Sequence, residues 1–295
     1  MSTPEQEAGP PPAPDPVAAA PPPDDADDLR GFHFKRLLGS KLTWVLILGA
    51  TLAAGVGAAV FVGAAVGGGA AVATFLLSLL IAFAVADSRA EDAFFQVYAQ
   101  QHGLELGGRA PLPPTTPLLR KGDDRYTERT MTGRLADGVD GTLALFTYEE
   151  ETTNSEGQSE TNYYRYTVGF TQVTECAERV PELYCQRKFG LRALEKFEDV
   201  FRTKKERVKL ESEVLDKKYE IFAGNEQDAV WLRRLFSPTF IVWLTDSAPD
   251  KFAFELVDGN LCCYVKGHKD DAEGLDSVAV ASGAVARRLR EEALE

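Results

Sequence analysis

The sequence predicts an α+β protein: an N-terminal transmembrane helical hairpin, then a mainly antiparallel β-sheet domain with packed helices and a C-terminal helix. Three observations predict it. From Leu42 to Ala86 there is no Asp, Glu, Lys, Arg or His; from Tyr126 to Glu182 apolar residues recur at every second position; and from about Asp271 they return to helical spacing.

The uncharged run is too long for one crossing. A single helix from Leu42 to Ala86 would reach roughly 68 Å at 1.5 Å per residue, whereas a bilayer core is about 30 Å thick. Folded in two, it yields two spans of about 20 residues, the length a crossing needs. Gly55, Gly57, Gly63 and Gly67-Gly68-Gly69 lower helix propensity, so the turn is expected between Gly57 and Gly69, by Gly67. The Ala59-x-x-x-Gly63 and Gly63-x-x-x-Gly67 spacings suit close helix packing. Arg30, Lys35, Arg36 and Lys41 precede the run, none lies inside it, and Arg89 follows. The positive-inside rule then places both termini in the cytoplasm, in a two-pass plasma (inner) membrane protein. A cleaved signal peptide is not expected, because a long polar segment precedes the run.

Residues 1–29 hold nine of the 16 prolines and end in Asp24, Asp25, Asp27 and Asp28; such a tail buries too little apolar surface to order itself. Residues 30–41 form a basic juxtamembrane segment and 42–86 the hairpin. Residues 87–103 are expected as a stalk helix, capped by Asp87 or Ser88, with Ala90, Phe94, Val97 and Tyr98 at helical spacing and Gly103 past its end. A proline-rich linker, 104–122, carries Pro111, Pro113, Pro114 and Pro117. Residues 123–295 make the soluble domain.

In that domain Leu143 and Leu145 alternate with Ala144 and Phe146, while Tyr164, Tyr166, Val168 and Phe170 share one strand face. Between them Glu149 to Asn162 reads as a polar loop with five acids and no base. A further strand is expected at Lys217 to Phe222, ending at Gly224-Asn225. Asn225 can cap the next helix, with Ala229, Leu232 and Leu235 as its buried stripe, and Ser237-Pro238 opens another short helix. Phe252 to Val257, Asp258-Gly259 and Asn260 to Val265 spell a β-hairpin. In the closing helix Leu275, Val278, Ser282, Val285 and Leu289 are expected inward, with Arg287, Arg288, Arg290, Glu291 and Glu292 outward.

The formal net charge of -13 argues against a nucleic-acid grip, which needs a basic surface. Cys176, Cys185, Cys262 and Cys263 are too few and scattered for a disulfide framework, which suits a reducing compartment. Cys262 and Cys263 would point to opposite faces of a strand and could not easily share an ion. His33, His102 and His268 are dispersed, so no zinc spacing exists. G-x-S-x-G, G-x-x-x-x-G-K-[ST] and G-x-G-x-x-G are all absent. The acidic stretch lacks the alternation and glycine of a calcium loop. One cluster stands out for contact with lipid or a partner: Arg202, Lys204, Lys205, Arg207 and Lys209. Beside an anionic bilayer each such residue adds about 1 kcal/mol, although neighbouring acids make a solvated face the plainer reading.

Leu210-Glu211-Ser212 through Tyr219-Glu220-Ile221, then Ala229, Leu232, Ser237-Pro238-Thr239-Phe240 and the Asp258-Gly259 hairpin, together resemble a bacterial, actinobacterial family of membrane-anchored proteins of unknown function. Val214-Leu215-Asp216 departs from a Phe-Asn pair expected there. The resemblance implies an N-terminal two-span hairpin and a C-terminal soluble domain, and assigns no catalytic residue.

The expected function is therefore non-enzymatic: a membrane-tethered cytoplasmic binding or scaffold protein. Its partners are the lipid bilayer and an unidentified protein, with no nucleic acid, metal or cofactor. The alternatives are a lipid-headgroup-binding module of pleckstrin-like shape, with a seven-strand sheet, or an accessory subunit of a membrane enzyme or transporter.

Overall fold

The computed structural model describes residues 47–54, 56, 60, 64–153, 157–188, 205–224 and 227–294. The tail, the basic segment and much of the first half of the uncharged run lie outside the described residues. The chain divides into two units, Met1–Asp87 and Ser88–Glu295.

In the first unit residues 47–54 are helical, and helix α1 (Ala64–Gln101) begins before the glycine triplet. It passes through Gly67, Gly68 and Gly69 unbroken, so the expected turn at Gly67 is corrected, and most of the rest of the expected interval lies outside the described residues. Glycine weakens a helix by about 1 kcal/mol per residue but keeps its N–H donor, and the alanines and leucines around it propagate the ladder. Among the described residues no helix is long and apolar enough to cross a membrane.

A separate stalk helix capped at Asp87 or Ser88 is likewise replaced by the continuous α1. Its end is as expected: Gly103 adopts φ 63°, Leu104 N–H reaches Ala99 O at 2.8 Å and Gly103 N–H reaches Gln100 O at 3.3 Å. That is the Schellman pattern, which favours glycine at the left-handed position. Phe94, Phe95, Tyr98 and Ala99 are buried in the second unit, and Tyr98 donates to Asp276 at 2.7 Å.

The second unit is α+β, with one mainly antiparallel sheet. Its strands are β1 (Glu105–Gly107), β2 (Asp124–Ala136), β3 (Val139–Thr153), β4 (Ser159–Gln172), β5 (Glu182–Arg187), β6 (Lys205–Arg207), β7 (Tyr219–Gly224), β8 (Ala253–Val257) and β9 (Asn260–Lys266). Their order is β1-β2-β3-β4-β9-β8-β5-β7-β6. Nine strands in one open order, among the described residues, replace the seven of a pleckstrin-like sheet. The helices are α2 (Glu213–Lys218), α3 (Ala229–Leu235), α4 (Pro238–Val242) and α5 (Ala272–Leu294).

The expected acidic loop is largely strand. Glu149 pairs with Tyr163, Glu150 with Asn162 and Glu151 with Thr161, because Thr and Tyr side chains suit a pleated surface and carry the β3–β4 ladder outward. Lys217 and Lys218 close α2 rather than open β7. Ser212 caps that helix, accepting from Leu215 N–H at 3.3 Å, and the two lysines suit its negative end. Asp228, not Asn225, caps α3 through Val230 N–H at 2.8 Å. Leu232 and Leu235 are buried with Trp231, while Ala229 is exposed. Ser237 caps α4 with Pro238 in its first turn, as expected. Asp258 and Gly259, at φ 47° and 74°, form the tight turn that their pairing predicts.

Helix α5 packs across β2, β3, β4 and β9. Leu275, Val278, Ser282, Val285 and Leu289 are buried under it as expected, but so is Glu292, at 2% exposure. Its carboxylate lies 2.7 Å from Arg234 and 3.0 Å from Arg288, which makes burial of the charge tolerable. The opposite sheet face carries Phe146, Tyr148, Val168, Phe170, Cys262 and Tyr264. It is covered by Leu118 and Leu119 of a 3-10 turn. The end of the proline-rich stretch is thus packed against the sheet, while Pro111, Pro113 and Pro114 are exposed.

Candidate anion-binding site

At one edge of the sheet β6 pairs with β7, Arg207 opposite Phe222, and Val208 N–H continues the ladder to Ile221 O at 2.9 Å. Leu210 then turns inward and is buried. Beyond β7, Gln227 N–H donates to Gly224 O at 3.2 Å, and Asp228 starts α3. These local choices bring strand and helix around a cavity of about 180 Å³ with Leu210, Ala223 and Leu232 on its wall. Arg207, Lys209 and Arg233 line it too, and among the described residues no acid does.

Arg207 is held by Glu220 at 3.4 Å. Lys209 and Arg233 are exposed and have no carboxylate at ion-pair distance among the described residues. Gln227 also lines the cavity. Its Nε2 donates to Arg179 O at 3.5 Å, while its Oε1 is buried with no hydrogen-bond partner among the described residues.

Of the five basic residues singled out in the sequence, Arg207 and Lys209 meet at this cavity. Lys205 lies on β6, and Arg202 and Lys204 lie outside the described residues. Arg233 has no sequence signal linking it to them; the β7–α3 connection makes it a neighbour.

No family model matches the chain, and no curated protein matches it. The fold is similar to the crystal structure of the mycobacterial trehalose monomycolate transport factor A, TtfA, at a TM-score of 0.41 and 9% identity. That likeness covers 67% of this chain and 90% of TtfA.

Other clusters point inward or cancel. A second cavity, about 330 Å³, is lined by Lys251, Lys266 and Lys269 but also by Asp250, Asp271 and Glu273, and Asp271 is occupied in capping Gly274 N–H at 2.6 Å. His268 reaches Thr147 at 3.3 Å and Glu128 at 3.8 Å, yet Thr147 is fully buried, so its hydroxyl is closed to a substrate. Burial holds His268 below its ordinary pKa.

Glu255 lies under the 3-10 turn, 1% exposed. It accepts from Leu118 N–H at 2.8 Å and from Tyr264 at 3.3 Å, and burial raises its carboxyl above the usual range. Burial also lowers Lys121 to about 8, against the pull of Glu255 and Glu150. This set fastens residues 116–121 to the sheet.

All four cysteines are free thiols and buried. Burial pushes Cys176 up to about 12, far from the thiolate that chemistry needs. Among the described residues no group of His, Cys, Asp and Glu is arranged to hold a metal ion.

Proposed function

We propose that this chain is a membrane-tethered binding or scaffold protein whose soluble domain takes an anionic ligand at the cavity of Arg207, Lys209 and Arg233. One observation supports the reading: in a chain of formal net charge -13, a cavity is lined by three cations and, among the described residues, by no acid. Guanidinium and ammonium groups around an apolar wall recognise phosphate-like anions.

The tether is the uncharged run. On this reading the uncharged run from Leu42 to Ala86, folded back on itself, anchors the chain. Both termini then face the cytoplasm, where anionic lipid headgroups and phosphorylated metabolites occur. Tethering raises the local concentration of a membrane ligand for the site. The role we propose is binding rather than catalysis, and the cavity's described lining is cations, apolar side chains and Gln227.

Calorimetric titration of the full chain in phosphatidylcholine nanodiscs with pyrophosphate tests the site. Binding should be saturable, weaken with salt and vanish in Lys209→Ala/Arg233→Ala; heat that persists in the double variant removes the reading. Reporter fusions after Glu295 test the tether: activity from a periplasm-dependent reporter alone would rule out the orientation.

A further inference from the structure

Strand β4 pairs with β3 from Ser159 to Thr171 but with β9 only from Thr167 onward, and a bridge from Tyr166 to Gly267 ends that contact. Gly267 N–H donates to Arg165 O at 2.8 Å, so the backbone of Arg165 points away from β3. Backbone groups alternate in direction along a strand, so those of Tyr163 and Thr161 point the same way. Among the described residues nothing meets them there, and Tyr163 is 55% exposed.

Proteins usually blunt an open edge. The outermost strands here, β1 and β6, are three residues long, and β6 carries Lys205 and Arg207. The far end of β3 is closed by a side chain, Asp123 Oδ2 accepting from Glu151 N–H at 2.9 Å. Residues 159–166 of β4 have no such device: they contain no proline or lysine and pair with β3 without a bulge.

Charge selects the occupant. Glu149, Glu150 and Glu151 lie beside this stretch on β3 and Glu160 on β4 itself, and between residues 149 and 164 there is no Lys, Arg or His. Glu149 pairs with Tyr163 on one face. On the other, where Glu150 lies, Tyr148 stacks on Tyr164 with centroids 4.8 Å apart. Each face thus offers a carboxylate and an aromatic ring, and lysine and arginine interact with both. A second copy of this chain would set like charges side by side, and an anionic lipid or nucleic acid would be repelled.

We infer that the open edge of β4 binds an extended basic peptide segment of a partner protein. The segment adds as a strand, hydrogen-bonding to the backbone of Thr161 and Tyr163, while its cations meet the glutamates and tyrosines. This surface is separate from the anion cavity, which adjoins β6 and β7 at the end of the strand order.

The probe is a fluorescein-labelled peptide of about ten alternating lysine and threonine residues, long enough at ~3.3 Å per residue to span the edge. Titrated by anisotropy into the full chain in phosphatidylcholine nanodiscs, it should bind saturably, and glutamate in place of lysine should abolish binding. The same lysine peptide with every backbone nitrogen methylated keeps its charges but has no backbone donor, and should bind about tenfold more weakly, which corresponds to ~1.4 kcal/mol. Thr161→Pro removes an outward N–H without breaking the β3–β4 ladder and should lose a similar factor at an unaltered unfolding midpoint. Should that variant unfold, the methylated peptide decides alone.

Equal binding of the methylated peptide overturns strand addition and reduces the contact to charge. Failure of the lysine peptide to bind overturns the site itself. Self-association of the chain in sedimentation velocity, abolished by Thr161→Pro, would give the edge to a second copy and overturn the peptide reading.

Discussion

Leu118 N–H donates to Glu255 Oε2 at 2.8 Å, tying the proline-rich segment to the middle of the sheet through a carboxylate that is 1% exposed. Glu255 pairs across the hairpin with Cys262, so its side chain emerges on the face away from α5. Segment 116–121 is the cover of that face, and Glu255 is the fastening.

Replacing Glu255 by Leu should therefore destabilise the domain by about 1–3 kcal/mol, the cost of leaving the buried Leu118 N–H without an acceptor. Glu255→Gln keeps an acceptor and separates the effect of charge. Because burial raises the folded-state pKa above the ordinary 4.5, the folded state holds the proton longer than the unfolded chain. Stability falls as pH rises from about 4.5 towards the folded value and is level beyond it. Urea midpoints measured across that range should decline for the wild type relative to Glu255→Gln; parallel curves would mean the carboxyl is not desolvated.

Lys121 gives the opposite sign at the alkaline end. Its ammonium lies 6.0 Å from the Tyr148 ring centroid, and burial lowers it from 10.5 to about 8. Between those values the unfolded chain binds more protons than the folded one, so stability rises with pH from about 8 to 10.5. Lys121→Met should lack that rise in the same midpoint series.

Gly169 marks a close approach of α5 to the sheet. A Cβ there would lie 2.8 Å from Ser282 Cβ and closer still to its Oγ. Gly169→Ala should cost about 1–3 kcal/mol, as overpacking does, and Ser282→Gly in the same background should recover much of it. A double-mutant cycle by thermal unfolding measures the coupling; additive losses would show that the helix shifts away freely.

Much of the sheet was legible because it is local. Tyr164, Tyr166, Val168 and Phe170 share a face by spacing alone, and Asp258-Gly259 dictates its own turn. What escaped depends on distant contacts. The pairing of Glu150 with Asn162 looks like solvated loop until the ladder that carries it is known. The cavity was half visible, in Arg207 and Lys209, but Arg233 reaches it only because β7 hands the chain to α3. Glu292 is different, since its signal was present: Leu275, Val278, Ser282, Val285, Leu289 and Glu292 step by three and four along one stripe, and residue type outweighed position.

That buried carboxylate leads to the last prediction. Glu292 is 2% exposed and joins Arg234 of α3 to Arg288 of α5, while Trp231 of α3 donates to its backbone oxygen at 3.2 Å. Truncating one partner of a fully buried pair costs about 3–5 kcal/mol. Here Arg234 and Arg288 are 44% and 23% exposed and can turn to water, so Glu292→Ala should cost less, about 1–3 kcal/mol by urea unfolding. Arg233 rides on the same helix as Arg234. Loosening α3 should therefore also weaken anion binding at the cavity, although Glu292 does not line it. Glu292→Gln retains hydrogen-bond acceptance and should fall between wild type and alanine in both measurements. If binding is untouched while stability drops, α3 is held in place by Trp231 and Leu232 alone, and the ion pair serves only the docking of α5.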